Sequence, residues 1–72
     1  MKDQCIYEQV LVQMFLKGYD CKALARHTGI SYSTLRRKLR GESALHLADA
    51  LAIQKALGSS LTLEKLFERR GA

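Results

Sequence analysis

Six cations, Lys22, Arg26, Arg36, Arg37, Lys38 and Arg40, stand within residues 21–41, a stretch with no aspartate or glutamate. Outside it the bases Lys2, Lys17, Lys55, Lys65, Arg69 and Arg70 face seven acids, so the formal charge of +5 arises entirely from that one stretch. A surface built only for solubility interleaves the two signs, whereas a single-sign block creates a field that attracts a polyanion. Nucleic acid fits such a block better than an anionic membrane or an acidic protein, because guanidinium and ammonium groups neutralise phosphates and arginine can bond guanine O6 and N7 together.

Other chemistry is poorly supported. The chain has no paired carboxylates, no Cys–His spacing and no glycine-rich loop that could cradle phosphate, so no catalytic residues, no cofactor and no small-molecule substrate are expected. Cys5, Cys21, His27 and His46 show neither C-x-x-C nor H-x-x-x-H spacing, and they read as ordinary helix thiols and helix-end histidines rather than metal ligands. No run of 18 apolar residues suggests a membrane span, and the first residues lack the apolar core of a signal peptide, so a cytoplasmic protein is expected.

These cations must be held by helices. The 72 residues contain no proline and suit one small domain with a modest stability margin. Gly18, Gly29, Gly41 and Gly58 punctuate the chain and leave helical segments at about 4–17, 20–28, 31–40, 44–57 and 62–69. The first places Ile6, Val10, Leu11, Met14 and Phe15 on one stripe, with Tyr7 and Val12 off it. Asp20, Ser31 and Thr62 suit N-caps, and the pairs Tyr19/Leu24, Ile30/Leu35 and Leu61/Leu66 have the spacing of hydrophobic staples. In the fourth segment Leu47, Ala48, Leu51 and Ala52, with Leu57 as a further member, form the expected apolar face. Its start is open between Ser43, the better cap by residue type, and His46, whose Asp49 three residues on mimics a capping box. In the fifth, Leu66 and Phe67 face inward.

The second and third segments are joined only by Gly29-Ile30-Ser31, the tight glycine-containing turn of a helix-turn-helix. Ala25 is small where the two helices cross, Gly29 opens the turn, and Ile30, Leu35 and Leu24 fill the junction. With Leu35 and Leu39 inside, the outer face of the third helix carries Tyr32, Ser33, Arg36, Arg37 and Arg40. A helix enters the major groove with its N-terminal residues toward base edges, which makes Tyr32, Ser33, Arg36 and Arg37 the base-reading candidates. Lys22, Ser31, Lys38 and Arg40 are the phosphate-binding candidates.

The segment ALARHTGISYSTLRRKLRG resembles the helix-turn-helix of the lambda-repressor-like (XRE, Cro-type) family of phage and bacterial regulators. The following GESALHLADALAIQKALG is similar to that family's fourth helix, and TLEKLF to its short fifth. The resemblance implies an all-α fold of five packed helices and a repressor that reads a double-stranded, near-palindromic DNA operator through the major groove, usually as a homodimer. Two features depart from the family pattern. Cys21 stands where many members have a glutamine that helps clamp a phosphate, with Lys22 beside it as a replacement, and the loop at 58–61 is about two residues longer than usual. The string GISYSTLRRKL is also similar to the C-terminal helix-turn-helix of Fis-type nucleoid proteins; the match of the fourth helix favours the repressor family.

One small module offers little contact area to DNA, so a second copy supplies affinity, with Leu61, Leu63 and Phe67 as the expected dimer interface. The same three residues could simply close the core. The alternative function is a helical protein-interaction module of the antitoxin or adaptor kind.

Overall fold

The computed structural model describes residues 5–69, and within them the chain forms five helices and no strand: α1 (Glu8–Lys17), α2 (Cys21–Thr28), α3 (Tyr32–Leu39), α4 (Leu47–Leu57) and α5 (Leu63–Leu66). Local chemistry starts most of them. The Asp20 carboxylate accepts the Ala23 N–H at 2.8 Å, the Ser31 hydroxyl accepts Thr34 N–H at 3.4 Å, and the Thr62 hydroxyl accepts Lys65 N–H at 3.3 Å. Each cap satisfies a backbone donor that the first helical turn leaves without a partner. All three staples form: Leu24, Leu35 and Leu66 are wholly buried, and Tyr19, Ile30 and Leu61 pack against the core that contains them.

Two helices begin later than the spacing suggests. Residue 4 lies outside the described part, and Cys5, Ile6 and Tyr7 precede α1 in non-helical backbone. Ile6 N–H donates to Leu39 O at 2.9 Å, and Tyr7 makes an isolated antiparallel bridge with Arg69. These long-range bonds compete with a further helical turn and win. Of the two possible starts for α4, His46 is the cap: its backbone N–H donates to Asp49 Oδ2 at 3.0 Å, whereas Ser43 N–H is directed to Arg37 O at 3.3 Å. The fifth helix is a single turn rather than 62–69, since Phe67 closes it by donating to Leu63 O and Arg69 is taken up by the bridge to Tyr7.

The core joins all five helices through Val10, Leu24, Leu35, Ile53 and Leu66, each wholly buried. α2 packs on both α3 and α4, while α5 lies against α1 and α4. Tyr7 and Phe67 meet edge-on at 5.4 Å, sealing the end where the first and last described segments meet. Around this core α4 is rotated from the expected face, whereas α1 keeps Val10 and Met14 buried and Leu11 against the core, with Ile6 before it, and turns outward only Phe15 of the expected stripe. Tyr7, expected off that stripe, is buried just before α1, while Phe15 is 83% exposed, as Val12 and Leu16 also are exposed. In α4 the buried line is Ala50, Ile53 and Leu57, and Leu47 and Leu51 are exposed. Both helices carry apolar residues around most of their circumference, so periodicity alone does not single out the inner face.

The rotation of α4 has a direct test. Ile53→Ala should destabilise the fold by about 2–5 kcal/mol in urea denaturation, the range for truncating a buried aliphatic side chain. Leu51→Ala, on the outer face, should cost less than about 1 kcal/mol. Equal losses at the two positions would contradict the observed face.

Candidate nucleic-acid interface

The junction of α2 and α3 is fixed by short-range bonds. Gly29 has φ of 79°, a left-handed conformation that strains any residue with a Cβ, and its N–H donates to Ala25 O at 2.9 Å to end α2. The Thr28 hydroxyl donates to Ala25 O at 3.2 Å and accepts Ile30 N–H at 3.3 Å, so one side chain stitches the turn on both sides. Ile30 then packs inward and Ser31 caps α3. The turn therefore spans three residues, and α3 leaves it with Leu35 and Leu39 buried.

That inner face dictates the outer one. Ser33 and Arg37 are exposed, Tyr32 is exposed along one edge, and Arg36 is half-buried. Lys22, in the first turn of α2, brings its ammonium to 5.7 Å from the Tyr32 ring centre, and the Arg36 guanidinium carbon lies 5.6 Å from the same point. Of the base-reading candidates, Tyr32 and Arg36 are thus brought together with Lys22, and Ser33 and Arg37 are exposed elsewhere along α3. Sequence reasoning passed over Arg26. It is exposed and lines an open groove with Lys22, Ala25, Gly29, Ile30, Ser31 and Tyr32, and its membership of the acid-free stretch was the available signal.

The remaining cations are engaged within the fold. The Lys38 ammonium, only 12% exposed, bonds Asp49 Oδ2 at 2.8 Å and Ala44 O at 3.0 Å. These contacts join α3 to the loop and to α4 through a side chain that the charge pattern made a phosphate-binding candidate. Arg40 makes a two-pronged contact with the Glu42 carboxylate, at 3.1 Å from Nε and 2.6 Å from Nη2. It remains near the surface, where phosphate could compete for it. Ser31 spends its hydroxyl on the cap and on a 2.8 Å bond to the Thr34 hydroxyl. Cys21 is half-buried against the core.

At the other end of the molecule, Leu61 and Phe67 pack against the core and Leu63 is half-buried. The large exposed apolar side chains lie instead on the outer sides of α1 and α4. Elsewhere Tyr19 stacks on His27 at 4.7 Å with the rings 8° from parallel, and the Lys17 ammonium lies 5.8 Å from the Tyr19 ring. Among the described residues no three His, Cys, Asp or Glu side chains stand close enough to share a metal ion, and no helix is long and apolar enough to cross a membrane.

Asp49 gives the Lys38 anchor a pH dependence. The hydrogen bond from Lys38 and that from the His46 backbone hold its carboxyl below the ordinary value of 3.8. Its contribution to stability is therefore full above that ordinary value and is lost as pH falls through the lower folded-state value. Asp49→Asn should be less stable than the natural chain at pH 7, and the difference should shrink as pH falls below about 4 in thermal melts. A difference that stays constant down to pH 2 would show that the carboxylate charge is not what matters.

A family model described as phage regulatory protein CII (CP76) matches residues 8–72. No curated protein and no solved structure matches the chain.

Proposed function

The chain belongs to the phage regulatory protein CII (CP76) family, and from that membership and the geometry of α2 and α3 we propose that it is a sequence-specific double-stranded DNA-binding transcriptional regulator. In this reading α2 and α3 are a helix-turn-helix within a lambda-repressor-like arrangement, and α3 enters the major groove. One observation carries it: the acid-free cationic stretch folds into two adjacent helices, with Lys22 of α2 and Arg36 of α3 gathered at the Tyr32 ring and Ser33 and Arg37 exposed on α3.

Each residue has a role. Arg36, Arg37, Ser33 and Tyr32 face base edges. Lys22 and Ser31 meet phosphates beside the helix N-termini, with Arg26 as an addition, and Arg40 exchanges Glu42 for a phosphate. Lys38 holds α3 in place rather than meeting phosphate, because its ammonium already has two partners. The effect on transcription is repression of the small-phage kind, exerted in the cytoplasm, and no catalysis or cofactor is involved.

Two copies read a near-palindromic operator, with half-sites about one helical turn, roughly 34 Å, apart. The dimer contact is proposed at the edge formed by Leu61, Leu63 and Phe67, where Leu63 retains exposed surface. The exposed Val12, Phe15 and Leu16 on α1 favour a second reading, in which the chain docks on another protein.

Selection of binding sites from random duplex DNA separates these readings. The regulator should enrich a short near-palindrome, and the protein-docking module should enrich nothing. On the selected duplex Arg37→Ala should lower affinity by roughly ten- to a hundredfold and relax preference at one base pair, the loss of one arginine–base contact of about 1–3 kcal/mol. Lys22→Ala should weaken binding and lower the salt slope by about one. In sedimentation equilibrium on the duplex, Leu63→Glu should bind as one copy where the natural chain binds as two. Binding as two copies by this variant would remove the α5 edge from the interface.

A further inference from the structure

Tyr32 is the first residue of α3, and its ring stands within reach of two cations from different helices. Lys22 Nζ lies 5.7 Å from the ring centre and Arg36 Cζ 5.6 Å from it. Two like charges gathered at one place repel, but an aromatic face carries a negative quadrupole that attracts both. Arg36 follows Tyr32 by one helical turn, so their contact is built into α3. Lys22 comes from α2, and its contact with the ring crosses the junction.

Tyr32 is 38% exposed and borders the groove that also contains Ala25 and Ile30. Its ring turns about two side-chain bonds, whereas Lys22 sits on a longer, more flexible stem. A lysine that wanders must be ordered when it binds, and that ordering weakens binding. A lysine already resting on a ring has less freedom to lose.

We propose that Tyr32 is a positioning residue whose ring holds Lys22 and Arg36 as one cationic unit across α2 and α3, coupling contact with the DNA backbone to base reading. The inference rests on the DNA-binding function proposed above. The ring face is the working part and the phenolic hydroxyl is dispensable. Lys22 and Arg36 then act together only while an aromatic side chain occupies position 32. A residue that merely shaped the fold would leave their contributions independent.

The test uses the full chain, the duplex recovered by selection and a scrambled duplex of equal length. Tyr32→Leu should bind about fivefold more weakly than the natural chain, the scale of one or two exposed cation–π contacts, and Tyr32→Phe, which keeps the ring, should recover most of that loss. Melting curves establish that both variants are folded. In the natural background Lys22→Ala and Arg36→Ala should be non-additive, and in the Tyr32→Leu background they should be additive. Without DNA, the side-chain protons of Lys22 and Arg36 should show upfield ring-current shifts in NMR spectra that persist in Tyr32→Phe and vanish in Tyr32→Leu.

Equal binding by Tyr32→Leu and the natural chain, additivity in both backgrounds, a Tyr32→Phe as weak as Tyr32→Leu, or absent ring-current shifts would each overturn this proposal alone. Failure of the natural chain to bind any duplex would overturn the DNA-binding reading and this proposal with it.

Discussion

The ammonium of Lys38 is the point on which the arrangement of the helices turns. It leaves the last turn of α3, accepts the Asp49 carboxylate as its partner and also donates to Ala44 O in the connecting loop. Asp49 in turn takes the backbone N–H of His46 and so caps α4. Three separate segments, the end of α3, the loop and the start of α4, are thereby tied to two side chains. The pair is partly shielded rather than buried, so its weight lies in the segments that its geometry ties together. Since α4 packs on α2, and α2 packs on α3, the tie also closes a ring of three helices around Leu24, Leu35 and Ile53.

This explains which parts of the molecule could be read from the sequence. Caps and staples are local: Asp20 with Ala23, or Ile30 with Leu35, depend on residues a few positions apart, and they form as spacing implies. The outer face of α3 follows from Leu35 and Leu39 for the same reason. The face of α4 and the outward turn of Phe15 on α1 were not legible in this way. Phe15 and Leu51 are as apolar as the residues that are buried, and distant partners bear on the choice between sides, among them Lys38 for α4 and the Tyr7–Arg69 bridge for α1. The fate of Lys38 was hidden for the same reason, because its partner lies eleven positions away on another helix. Among six cations of one sign, charge counting cannot tell which one folds inward.

The family match and the geometry bear on different questions. The match makes the chain a phage regulatory protein, and it extends over nearly all of the described residues. The geometry concerns which side of the molecule could meet DNA, and it divides the surface. Lys22 and Arg36 meet at Tyr32, while Val12, Phe15, Leu16, Leu47 and Leu51 are uncovered on α1 and α4, helices whose inner sides belong to the core. A regulator that binds DNA with one side and a protein with another needs such a division.

The antiparallel bridge between Tyr7 and Arg69, with the edge-on ring contact between Tyr7 and Phe67, bears on how the chain is made. A ribosome emits Tyr7 long before Arg69. The helices can coil and the turn between α2 and α3 can form during synthesis, since their bonds are local. The seat of α1 is completed only when the last segment has emerged. Until that moment the nascent chain keeps the Tyr7 ring without its later neighbours, so this closure follows the local folding of the helices between.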